Sequence, residues 1–141
     1  MFILDSDTAT LATFQFASII DMMDAARSRN EIVALGVFTW CEMLRGRIAS
    51  MFTAANEAEL TTAQLRLNET KAFLKGFTIV DCDAPAAAMF ARLKSSKHSR
   101  KKNRGDGLLA CIALANQAVL VTRNTKNFIG IPNLVVENRA V

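Results

Sequence analysis

Asp5 and Asp7 stand two positions apart in "FILDSDTATL", where an apolar run ends and Thr8 follows. Two chemistries use such a pair. One is an aspartate nucleophile with an aspartate acid/base partner. The other is a carboxylate that holds a metal ion. Further along, Glu42 lies just past the apolar run "IVALGVFTW", Asp106 opens "GDGLLACIALANQ", and Thr122, Arg123 and Asn124 follow "AVLVT". Each acid alone has a plain reading as a helix cap or as a charge at a helix N-terminus.

Whether these residues meet depends on the elements that carry them. "FILD" reads as a short buried strand. Residues 8–29 carry apolar residues at helical spacing and form one or two helices, capped by Asp7 or Thr8. "IVALGVFTW", 32–40, reads as a second strand, and Thr39 as the N-cap of a helix through "CEMLRGRIASMFTAA". Residues 57–77 form an amphipathic helix closed by Gly76. "TIVDCD", 78–83, is a third strand, and 84–96 a helix with Pro85 in its first turn. Residues 105–117 are helical by period, 118–122 a fourth strand, and 133–138 a short fifth. Strands and helices alternate, and the strands are continuously apolar. That pattern predicts an α/β fold, with a central parallel sheet of four to five strands and helices on both faces.

Ligands of such sheets bind at the carboxyl ends of the strands, near a reversal in strand order. Asp5, Glu42 and Asp106 would meet there. Capping one helix at a time does not require all three acids to share an edge. Close carboxylates repel unless a cation sits among them. An oxygen-only set with no histidine suits Mg²⁺ or Mn²⁺.

Composition narrows the rest. The chain has 141 residues, which predicts a single domain over 1–141, and 51% are hydrophobic, which excludes general disorder. No apolar run reaches the roughly 18–20 residues of a membrane span. No secretory signal is legible, so the expected location is cytoplasmic. Cys41, Cys82 and Cys111 make an odd count with no CxxC pair, which favours free thiols over disulfides or zinc. The lone histidine, His98, sits inside a basic run and reads as a solvated loop residue. Net charge is +4, with much of the excess in "KSSKHSRKKNR", 94–104. That stretch reads as a phosphate-facing patch or, more plainly, as a solvated helix end and loop.

Several blocks resemble the PIN-domain ribonucleases of the VapC toxin type, of type II toxin–antitoxin systems. "FILDSDTATL" is similar to their opening strand and first acid, Asp5. "VFTWCEMLRGRIA" is similar to their Thr-x-x-Glu-Leu-x-x-Gly motif at Thr39, Glu42 and Gly46, with Met43 where Leu is usual. "GDGLLACIALANQAVLVTRNTKNF" resembles their third block, with Asp106 as third acid, and "IPNLVVEN" their last strand. One departure stands out. A fourth acid is often found where this chain has Asn127.

The resemblance implies a PIN-like fold and metal-dependent hydrolysis of RNA phosphodiester bonds. Asp5, Glu42 and Asp106 would hold Mg²⁺ or Mn²⁺, with Thr39, Asn124 and Asn127 in support. Asp7 would be a helper at the ion or a helix cap, and the cap stands slightly ahead. Arg123, Lys97, Arg100, Lys101, Lys102 and Arg104 would grip RNA. The resemblance further implies an antitoxin partner and a homodimer. The apolar residues of "FQFASIIDMMDAA" and "MFTAA" offer a surface for either, or core packing. Two other readings stay open. Asn127 is compatible with a weakened, nucleic-acid-binding PIN-like domain. The Asp5/Asp7 pair also resembles the DxDxT opening of haloacid-dehalogenase phosphatases, although Ala9 stands where Thr is usual and no second acid follows Asp106. A receiver-type phosphoacceptor at Asp81 or Asp83 is set aside, because no Lys follows the last strand.

Overall fold

A computed structural model of the chain describes residues 1–94 and 104–141. The elements run β1 (Phe2–Leu4), α1 (Ser6–Thr13), α2 (Ala17–Ser28), β2 (Val33–Gly36), α3 (Val37–Thr53), α4 (Glu57–Lys75), β3 (Thr78–Val80), α5 (Ala84–Lys94), α6 (Arg104–Ala115), β4 (Val119–Val121) and β5 (Val135–Glu137), with a 3-10 turn at Thr125–Phe128. The five strands form one sheet in the order β3-β2-β1-β4-β5. Every pairing is parallel, and Leu4 at the end of β1 lies level with Leu35 of β2 and Val121 of β4. This is the α/β architecture expected from the alternation of elements.

The sheet has a core on each face. On one, Phe2, Leu4, Leu35 and Val121 pack with Ala9, Ala12, Ile19, Met22, Met23 and Ala26 of α1 and α2 and with Leu74 of α4. On the other, Ile3, Ala34 and Leu120 pack with Leu109, Ala110, Ile112 and Ala113 of α6, and with Phe128 and Ile131. Alternate residues of each strand supply alternate faces, as the pleat dictates. Burial on both sides explains why the strands lack polar residues.

The run 8–29 forms two helices, within the one or two expected, and Gln15 at the break has a positive φ of 56°. Two local findings differ from the sequence expectations. Asp5, rather than Asp7 or Thr8, caps α1: its Oδ1 accepts the Thr8 backbone N–H at 2.8 Å. The expected strand 32–40 stops at Gly36, and α3 begins at Val37. Thr39 is therefore inside the first turn of α3 and 2% exposed, not its N-cap. An apolar run of this length suits a buried strand and a buried helix start equally, so periodicity cannot place the change. Gly36 marks it by close approach: a Cβ there would sit 3.0 Å from the Leu109 side chain of α6. Gly46, in the motif that resembles the PIN ribonucleases, has open space around it.

The remaining caps follow the sequence. Asn56 accepts the Glu59 N–H at 2.9 Å and Glu59 accepts the Ala55 N–H at 2.7 Å, a capping-box arrangement at the start of α4. Asp83 caps α5 through the Ala86 N–H at 3.1 Å. Gly76 closes α4. Among the described residues, no helix is long and apolar enough to cross a membrane. Cys41 is exposed, Cys82 partly buried and Cys111 buried, all as free thiols. The apolar segments that suggested a docking surface divide. Ile19, Met22 and Met23 belong to the core, whereas Phe14, Phe16 and Phe52 are exposed.

Candidate metal centre

The strand order reverses between β1 and β4, the two strands that flank the switch point. Asp5 follows β1 and Thr122 follows β4, so both stand at the carboxyl edge of that crevice. Glu42 lies in α3, the helix that leaves the carboxyl end of β2. Asp106 is in the first turn of α6. These elements surround a cleft of about 220 Å³ lined by Asp5, Asp7, Thr39, Glu42, Asp106, Asn124 and Asn127, with Ser6 beside them. The three acids expected to meet line one cavity, and the three supporting residues line it with them.

A neutral donor reaches each acid. Asp5 accepts the Thr8 N–H on one oxygen and the Thr122 hydroxyl on the other. Thr122 is fully buried, and its oxygen accepts the Asn124 N–H at 2.9 Å, which locks the turn after β4. Glu42 accepts the Ser6 hydroxyl. Asp106 accepts the side-chain amide of Asn127 at 2.9 Å. Sequence reasoning did not single out Ser6, and it noted Thr122 only for its place after the strand. The available signal was small: a hydroxyl beside the first acid, and another at the end of the strand next to it.

Asp7 does not cap. Its carboxylate is 67% exposed and pairs with Arg123, itself 51% exposed, at 3.7 Å. An exposed pair at that separation is worth at most about 1 kcal/mol. Lys97, Arg100, Lys101, Lys102 and His98 lie outside the described residues, and Arg104 enters only as the first residue of α6.

The donor set is carboxylate, hydroxyl and amide oxygen, the chemistry of a hard cation. Among the described residues, no three acidic, histidine or cysteine side chains stand close enough to enclose an ion unaided. A hydrated ion held by one or two carboxylates and its own waters needs no such cage. That is the usual manner of Mg²⁺.

No family model matches the chain. It is 28% identical over 113 residues to Ribonuclease VapC2 of Rickettsia felis, spanning 79% of this chain and 77% of that protein. Its fold matches VapBC2 from Rickettsia felis, solved bound to a DNA fragment from their promoter, with a TM-score of 0.77 at 24% identity over 97% of each chain. It also matches DNA-bound VapBC from Salmonella typhimurium, with a TM-score of 0.77 at 20% identity over 97% of this chain and 96% of the other. VapBC-1 from nontypeable Haemophilus influenzae gives a TM-score of 0.76 at 20% identity over 99% and 98%. With its five-stranded parallel sheet and the cleft at its switch point, the chain has the fold of these VapBC proteins and is similar in sequence to Ribonuclease VapC2.

Proposed function

We propose that this chain is a metal-dependent endoribonuclease, a toxin of the VapC type, built as one PIN-like domain over residues 1–141. The observation that supports it most is the gathering of Asp5, Glu42 and Asp106 around one cleft at the switch point of the sheet. The likeness to a protein named Ribonuclease VapC2 supplies the substrate class.

Asp5, Glu42 and Asp106 would hold Mg²⁺ or Mn²⁺, directly or through water. The ion, when bound, makes a water more acidic and offsets charge on the phosphate. Thr122 and Ser6 keep Asp5 and Glu42 in place. Asn124 lines the cleft, where its amide can hydrogen-bond an acid or the attacking water. Thr39 lines the same cleft from the first turn of α3. Water attacks phosphorus in line with the 3′ oxygen; the new O–P bond forms as the P–O3′ bond breaks, leaving a 5′-phosphate and a 3′-hydroxyl. Arg123, at the rim, and Lys97, Arg100, Lys101, Lys102 and Arg104 contribute phosphate affinity without sequence choice. Asp7 stands at the rim as the partner of Arg123.

The partner is a cognate antitoxin, a reading supported by the VapBC complexes that share this fold. Exposed Phe14, Phe16 and Phe52 are available to it or to a second copy of the chain in a homodimer. Asn127, neutral where an acid is often found, favours a second reading: a domain that binds nucleic acid and turns over weakly.

The test is cleavage of a mixed labelled RNA pool in Mg²⁺ or Mn²⁺, with EDTA and with Asp5→Ala, Glu42→Ala and Asp106→Ala. Cleavage that needs the ion and is lost in all three variants supports the ribonuclease. A folded protein that binds Mn²⁺ and RNA without cleaving supports the second reading. Cleavage that survives all three substitutions overturns the site.

A further inference from the structure

Asn127 and Asp106 come from different elements, the 3-10 turn after β4 and the first turn of α6. The Asn127 Nδ2 donates to Asp106 Oδ2 at 2.9 Å. An ionised carboxylate only accepts hydrogen bonds, so the group of Asn127 that faces it must be the NH₂. The base of this contact is fixed. Phe128, the next residue, is 3% exposed in the core, and the Asn127 backbone N–H donates to the Asn124 carbonyl at 3.1 Å.

The other two acids are served in the same way. Asp5 takes a hydroxyl from Thr122 and Glu42 takes one from Ser6. Each acid thus has a neutral donor from an element other than its own. A neutral donor orients a carboxylate without itself neutralising its charge. An ionised aspartate at 127 would be a second acceptor and could not make this bond.

Resting on the metal-dependent reading above, we infer that Asn127 is a positioning residue. It orients Asp106 by hydrogen bonding, so the cleft has its geometry before an ion arrives. The residue that departs from the pattern of similar ribonucleases is then a replacement with a function of its own, and does not mark decay of the site.

Two measurements on the full chain test this, one of them without metal. The first is a double-mutant cycle of Asn127→Ala and Asp106→Ala, followed by thermal unfolding in EDTA. The expected result is a Tm loss in the double variant smaller than the sum of the two single losses. The second is titration with Mn²⁺ alone by calorimetry. Asn127→Ala should weaken Mn²⁺ binding by about ten- to a hundredfold, the usual effect of removing a partner that orients a ligand. Asn127→Asp should have a lower Tm than wild type in EDTA and gain more from added Mn²⁺. Additive losses in EDTA, or unchanged Mn²⁺ affinity in Asn127→Ala, overturn the inference. Coupling in EDTA with no Mn²⁺ binding by the wild type identifies a different failure. The contact stands, but the metal reading falls and takes the positioning role with it.

Discussion

Thr122 donates its hydroxyl to Asp5 across 117 positions of sequence. The bond joins the ends of β4 and β1, the two strands that flank the switch point, and Thr122 is fully buried while it does so. It links the stability of the sheet edge to the orientation of the acid. Thr122→Val keeps the shape and removes the donor. The expected cost is about 1.5–3 kcal/mol, the range for a hydrogen bond to a charged group. Urea unfolding measures it, and Thr122→Ser should restore most of the loss. No change with valine would mean that Asp5 is held by its cap alone.

Asp5 has two duties that substitutions can separate. It caps α1 and lines the cleft. Asp5→Asn retains an oxygen that can accept the Thr8 N–H but lacks the charge. Asp5→Ala lacks both, and loss of a cap costs about 1 kcal/mol. Both variants should lose metal-dependent RNA cleavage, and only Asp5→Ala should lose the full capping contribution. Cleavage retained by Asp5→Asn would show that the charge at this position is not required.

The rim pair should behave differently. Asp7 is exposed and meets Arg123 at 3.7 Å, so Asp7→Ala should change stability by less than about 1 kcal/mol. Arg123→Ala should weaken RNA binding and make it less sensitive to salt, since one fewer phosphate charge is neutralised. Binding measured at several KCl concentrations checks this. An unchanged salt slope would remove Arg123 from the RNA surface.

Cys111 and Cys41 should differ in reactivity. Burial, with a smaller contribution from Cys82 nearby, pushes the Cys111 thiol from 9.0 up to about 11. Cys41 is exposed. At pH 8, a thiol reagent should modify Cys41 in the native protein and reach Cys111 only after unfolding. The folded state favours the neutral thiol, so Cys111 contributes stability that is fully present below pH 9. That contribution fades as pH rises from about 9 to about 11. Urea unfolding across this window should show the decline, and Cys111→Ala should flatten it.

Asn56 provides a control remote from the cleft. Its side chain and Glu59 form reciprocal caps at the start of α4. Asn56→Ala should cost about 1 kcal/mol and leave cleavage and Mn²⁺ affinity as they were. A loss of activity would show that the α3–α4 hairpin communicates with the site.

The alternation of apolar strands and helices, and three acids each placed beside an element end, were written in the sequence. From these the parallel sheet and the candidate trio Asp5, Glu42 and Asp106 could be expected, because apolar periodicity is a local property of the chain. The place where β2 gives way to α3 carries a non-local mark: a Cβ at Gly36 would sit 3.0 Å from the Leu109 side chain of α6, which would have to shift by a few tenths of an ångström. Thr39 lies inside the helix that begins at Val37 rather than at its cap. The choice of Asp5 over Asp7 as the cap of α1 depended on where β1 ends and the helix begins. The roles of Ser6, Thr122 and Asn127 are hydrogen bonds across 36, 117 and 21 positions. A side-chain pair that distant has no periodicity to reveal it, and only the folding of the sheet brings its members together.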